Sequence, residues 1–212
     1  MGNPLRQIAG PVGPLEVLLD TPTGPPRAAV VFAHPLPTHG GTMHTKVVYQ
    51  SAKALARIGC VVLRFNFRGV GLSAGAWDEG QGERDDYRAA LTYMAGRYPD
   101  LEIWAAGFSF GSYIATTLGA DDDRVSALIA IAPPVHTYEF ASVKLSRKPK
   151  FIIHGGHDEL ISIKLARHFY AQLLEPKEFV EIDRADHLFD GQAAEVGDAL
   201  ADLLEDFSCK TR

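Results

Sequence analysis

Short apolar runs bounded by glycine and proline alternate along most of the chain with longer stretches in which apolar residues recur at helical spacing. Leu15–Asp20 and Ala28–Ala33 are two such runs, and the segment between them, Thr21-Pro22-Thr23-Gly24-Pro25-Pro26, has the composition of a turn; the pattern predicts that the chain opens with paired strands. From there it predicts a helix over Met43–Ile58 closing at Gly59, a strand over Cys60–Phe67, a helix over Glu83–Arg97 and a strand over Leu101–Ala106. A helix over Phe110–Leu118 ending at Gly119 follows, then strands over Val125–Ala132 and Phe151–His154, a helix over Ile163–Leu174, a strand over Glu178–Ile182 and a last helix within Ala193–Phe207. The strand segments are continuously apolar rather than alternating, which is the pattern of strands covered by helices on both faces. Strands and helices in alternation then predict an α/β chain with a mostly parallel, doubly wound sheet flanked by helices. Between the strands ending at Ala132 and beginning at Phe151 lies only Pro133–Lys150, too short and too polar for a cap domain, so any site at the sheet edge is expected to be open.

Composition narrows the picture. A chain of 212 residues that is 46% hydrophobic builds one substantial core, which favours a single domain spanning 1–212. The formal net charge of -5 gives no electrostatic reason to expect nucleic acid or an anionic membrane as a partner. The basic stretch Lys144, Arg147, Lys148 and Lys150 reads as a solvated loop, with attraction of an anionic substrate group the sharper alternative, and Asp121-Asp122-Asp123 reads as a solvated helix end. Two cysteines, Cys60 and Cys209, make neither a disulfide framework nor a metal site and are expected to be reduced thiols. The start Met1-Gly2-Asn3-Pro4-Leu5-Arg6 lacks the basic and apolar segments of a signal peptide, and no window is an uninterrupted apolar span; a soluble, cytoplasmic protein is the expectation.

The chemistry is concentrated in Gly107-Phe108-Ser109-Phe110-Gly111, set between a predicted strand and a predicted helix. Gly-x-Ser-x-Gly in that context lifts a serine clear of the sheet on a strained turn, with glycines where a Cβ would clash. A serine hydroxyl needs an adjacent base and a third group to orient the base. In this class of turn the order is serine, acid, histidine, which leaves His168 and His187; His168 falls inside a helix, whereas His187 follows the last strand on a loop at the carboxyl edge of the sheet. Asp158, at the end of Phe151-Ile152-Ile153-His154-Gly155-Gly156-His157-Asp158, is the best-placed acid, with Glu159 its nearest rival and Asp183 and Asp186 behind. Amides to hold an oxyanion are expected at Phe110, at the helix start, and at Leu36 in the loop Ala33–Gly41, where Pro35 and Pro37 have no N–H to offer.

Other strings carry weaker signals. His34, His39 and His44 are close in sequence but have no acidic or cysteine partner, so no metal is expected. Gly69-Val70-Gly71-Leu72-Ser73-Ala74-Gly75 departs from the dinucleotide fingerprint and reads as a glycine-rich loop; no cofactor is called for. Trp77, Phe108, Phe110, Leu188 and Phe189 are candidate apolar walls of a substrate pocket.

With Ser109, Asp158 and His187, the segments His34-Pro35, Gly40-Gly41-Thr42-Met43 and Arg64-Phe65-Asn66-Phe67-Arg68-Gly69-Val70-Gly71-Leu72-Ser73 make nearly the whole chain resemble the α/β-hydrolases, in particular small lidless bacterial serine hydrolases related to dienelactone hydrolase. The resemblance implies a sheet of about eight strands of which only the second is antiparallel. Dienelactone hydrolase uses cysteine as its nucleophile, so serine at position 109 points instead to esters. The expected activity is hydrolysis of small carboxylic esters or thioesters through an acyl-enzyme, the partners being a small acyl substrate and water. A peptidase, an acyltransferase or a non-catalytic binding protein on the same shell are the alternatives.

Overall fold

The computed structural model describes residues 5–208; Cys209 and the Met1–Pro4 stretch of the N-terminal reading lie outside them. Eight strands form one sheet in the order β1-β2-β4-β3-β5-β6-β7-β8. They are β1 (Gln7–Gly10), β2 (Gly13–Asp20), β3 (Ala28–Ala33), β4 (Cys60–Phe65), β5 (Glu102–Phe108), β6 (Val125–Ile131), β7 (Lys150–Gly155) and β8 (Lys177–Ile182). β2 runs antiparallel to both its neighbours, β1 and β4, and every other pairing is parallel. Strands β3, β4 and β5 are buried along their whole length, as their unbroken apolar runs require.

Six helices cover the sheet: α1 (Lys46–Arg57), α2 (Gln81–Arg97), α3 (Phe110–Asp121), α4 (Ala141–Leu145), α5 (Ile163–Gln172) and α6 (Ala193–Leu204). Val47, Val48, Ala52 and Leu55 of α1 pack with Val196, Leu200 and Leu204 of α6 over Val30, Phe32, Val62 and Trp104 on one face. On the other, Tyr87 and Leu91 of α2, Ile114 and Leu118 of α3 and Phe169 of α5 cover Val31, Leu63, Phe65 and Ala105. None of these helices is long and apolar enough to cross a membrane.

The expected pairing of the first two runs is wrong. β4, itself apolar and buried along its whole length, lies between β2 and β3, pairing antiparallel with the first and parallel with the second. Two shifted boundaries share one cause. The helix expected from Met43 begins at Lys46, since the Met43 amide donates to Asn66 Oδ1 (2.8 Å) and its carbonyl accepts from Arg64 Nη1 (2.8 Å). The strand expected to reach Phe67 stops at Phe65, since the Phe67 amide donates to His34 Nε2 (3.1 Å). The helix expected to end at Gly119 continues to Asp121.

The basic stretch is not a solvated loop throughout. Lys148 Nζ donates to the Gly119 and Asp122 carbonyls (2.7 and 2.6 Å) at the end of α3, and the fully buried Lys150 donates to Lys148 and Leu174 carbonyls (2.8 and 2.9 Å). Both ammonium groups are held by backbone carbonyls, a use of lysine that charge patterning does not reveal.

Candidate active site

The connection from β3 runs to β4 on one side and that from β5 to β6 on the other, so the sheet has a switch point where β3 and β5 lie side by side, Ala33 opposite Gly107. Crevices at such points, at the carboxyl ends of the strands, are where open α/β sheets bind ligands. Two loops meet there, residues 34–41 after β3 and the turn at Ser109 after β5.

Ser109 has φ 51° and ψ -123°, a conformation costing about 1–3 kcal/mol for a residue with a Cβ. The turn is possible because of its glycines. A Cβ on Gly107 would lie 2.2 Å from the Gly111 carbonyl oxygen, and one on Gly111 would lie 2.4 Å from the carbonyl oxygens of Ala33 and His34. The buried Phe110 ring anchors the turn, edge-on to Phe67 (5.7 Å) and Trp77 (5.3 Å) and tilted against Tyr138 (5.9 Å).

Ser109 Oγ lies 3.0 Å from His187 Nε2, and His187 Nδ1 lies 2.8 Å from Asp158 Oδ2. The carboxylate only accepts, so Nδ1 carries the proton and Nε2 is free to accept from the serine hydroxyl. Asp158 Oδ1 is fixed by the Leu160 and Ile161 amides (2.9 and 2.7 Å). Burial alone would raise the Asp158 carboxyl; the His187 and Ile161 hydrogen bonds outweigh it and hold the group below the usual carboxylate range. Such a relay of hydroxyl, imidazole and carboxylate generates a nucleophile at neutral pH.

Phe108 and Phe189 are not pocket walls. Both are fully buried: Phe108 lies under the imidazole, ring centroids 5.6 Å apart, and packs against Phe189 at 6.1 Å. Trp77 is half-buried against Phe110 and does not line the cleft. Leu188 does line it, with Pro35, Leu36, His39, Ser109, Glu159, Leu160 and His187, around a volume of about 400 Å³. Nothing from the link between β6 and β7 is part of that lining; its five-residue helix α4 packs on α3 instead. His168 is exposed on α5, bonded to Gln172.

The loop after β3 is held from below. His34 is fully buried; its Nε2 accepts from the Phe67 amide, so Nδ1 carries the proton and donates to the Pro35 carbonyl at 2.7 Å. That carbonyl belongs to the same planar peptide as the Leu36 N–H, so the bond fixes the direction of the Leu36 amide. Burial pushes the His34 ring down to about 4, against the Pro35 hydrogen bond.

Sequence reading passes over His154 here and offers Glu159 only as a rival to Asp158. His154, buried on β7, donates from Nε2 to the Ile161 carbonyl (2.8 Å) and sits 3.4 Å from Asp158 Oδ2. Glu159 lines the cleft and accepts the His187 amide on Oε2 (3.2 Å). Their positions relative to Asp158 in sequence were the available signal.

The sequence model of the family described as serine aminopeptidase, S33 matches residues 24–145. An α/β serine hydrolase homologue from Coxiella burnetii is 41% identical, with 96% of this chain and 98% of that one covered at a TM-score of 0.90. An α/β serine hydrolase without lid from Xanthomonas campestris is 34% identical, with 99% and 96% covered at 0.89. A protein of Rickettsia prowazekii described as uncharacterized is 35% identical over 204 residues, 92% of this chain and 86% of its own length. Fold and likeness together define an α/β hydrolase without a cap. Within that class the chain belongs to the S33 family of serine hydrolases.

Proposed function

We propose that the protein hydrolyses small carboxylic esters or thioesters through an acyl-enzyme on Ser109. One observation carries the reading: the unbroken path Ser109 Oγ, His187 Nε2, His187 Nδ1, Asp158 Oδ2, with steps of 3.0 and 2.8 Å, beside an open and largely apolar cleft. His187 takes the serine proton as Oγ bonds to the carbonyl carbon, and the π pair moves onto oxygen. The Leu36 and Phe110 amides donate to that oxyanion; Phe110 is the first residue of α3, where backbone N–H groups have no partner within the helix. The intermediate expels the alkoxide or thiolate, which takes the proton from His187. Water then gives its proton to His187, adds to the acyl carbon, and Ser109 leaves with that proton. Asp158 keeps the ring in its productive tautomer and stabilises the imidazolium.

The open cleft supports short acyl groups, and the lidless Xanthomonas relative supports the same expectation. An amide substrate is the second reading, favoured by the aminopeptidase description of the family. A screen of p-nitrophenyl esters of rising acyl length, with matching thioesters and aminoacyl p-nitroanilides, tests both, with fluorophosphonate labelling of folded protein alongside. Ester or thioester turnover falling with acyl length, with labelling abolished in Ser109→Ala, is expected. Turnover that survives Ser109→Ala, or preference for long acyl chains, overturns the proposal; p-nitroanilide turnover above ester turnover selects the second reading.

A further inference from the structure

We propose that Glu159 makes the cleft a charge filter, selecting esters that are neutral or cationic near the scissile bond and rejecting those with a free carboxylate there. The inference rests on the hydrolase reading above and names its substrate class. Glu159 lines the cleft with Ser109 and His187, and apart from His39 the remaining wall is apolar: Pro35, Leu36, Leu160 and Leu188. The side chain is held in place, since Oε2 accepts the His187 amide at 3.2 Å. Its charge is not cancelled. Among the described residues no lysine, arginine or histidine nitrogen lies within ion-pair distance of the Glu159 carboxylate. Asp158, the neighbouring acid, is bonded to His187 and to two backbone amides and is buried beneath the cleft. Glu159 is therefore the acidic side chain that an incoming substrate meets. Two unit charges about 6 Å apart at an effective dielectric of about 40 change affinity by about tenfold, enough to sort substrates of equal shape.

Three aryl acetates of similar shape test this: 3-acetoxybenzoate, 3-acetoxybenzamide and 3-acetoxy-N,N,N-trimethylanilinium. The readout is the ratio of kcat/KM between the cationic and anionic esters, compared across wild type, Glu159→Gln and Glu159→Lys, so that intrinsic leaving-group differences and any uniform loss of activity cancel. The ratio is expected to fall about a hundredfold in Glu159→Gln, about tenfold from the lost attraction and about tenfold from the lost repulsion, and further in Glu159→Lys. Raising the salt to about 0.5 M should shrink it in wild type and leave it steady in Glu159→Gln. A ratio within about twofold of wild type in both variants overturns the filter alone. Failure of wild type to turn over any of the three esters, or equal rates in wild type and Ser109→Ala, overturns the hydrolase reading and the filter with it.

Discussion

Arg68 with Asp86, and Ser109 with His187 and Asp158, are both buried polar constellations, yet one is closed and the other is open. Asp86, with no exposed surface, accepts from Arg68 Nε, Arg68 Nη2 and the Arg68 amide at 2.8–3.2 Å. The second constellation ends instead on a hydroxyl whose backbone is strained and which faces a cleft of about 400 Å³. Buried charge therefore does not mark an active site by itself. A relay that ends on a strained hydroxyl facing a cleft is what supports the proposed activity.

Substitutions that separate activity from stability sharpen the contrast most. Asp158→Asn, which leaves the shape of the relay intact but favours the wrong imidazole tautomer, should lower kcat by about 10⁴-fold, with thermal unfolding close to wild type. Steady-state kinetics beside a melting curve checks it, and a large activity loss matched by a collapse in melting temperature would erase the distinction.

Asp86→Ala should do the reverse. Leaving the Arg68 guanidinium buried with only the exposed Asp78, 3.8 Å away, as an ion-pair partner should cost about 3–5 kcal/mol in urea unfolding, while Arg68→Met with Asp86→Leu should recover most of that. Activity of the double variant at low temperature should stay near wild type; loss without destabilisation would place this pair in the chemistry after all.

The smallest effect concerns His34, which fixes the Leu36 peptide and belongs to neither constellation. Its ring is held neutral in the folded chain, pushed down to about 4, while the unfolded chain binds a proton near 6.5. Between those values the unfolded state carries more protons, so stability from this group is complete above 6.5 and is lost as pH falls towards 4. About 3 kcal/mol is at stake. His34→Gln should flatten that slope in urea unfolding series; an unchanged slope would assign it to His154, which burial also lowers.

The approach of Ser109, His187 and Asp158 was legible because strand, turn and helix periodicity fixes which residues reach the carboxyl edge of a sheet, and chain order then leaves few partners. The walls were not. Phe108 and Phe189 have the same residue type as any pocket lining, but Phe108, the last residue of β5, sits against the His187 ring, and the loop after β8 packs Phe189 on Phe108. On sequence alone Glu159 rivals Asp158 as the acid, a contest decided by the turn after β7, which aims Asp158 at the imidazole and Glu159 at the cleft. β1 offered too little pattern to read, because Ile8 is its one buried residue.

Gly111 packs directly on the Ala33 and His34 carbonyls, so the loop after β3 and the serine turn meet backbone to backbone. The spacing between the Leu36 and Phe110 amides, the proposed oxyanion donors, is thereby set by backbone contact, with the His34 side chain fixing the direction of the first. Leu160 and Leu188, exposed on the cleft, contribute nothing to that spacing. On the proposed ester reading, substitutions at those two positions should therefore change which acyl groups fit while leaving the Ser109–His187–Asp158 geometry as it is.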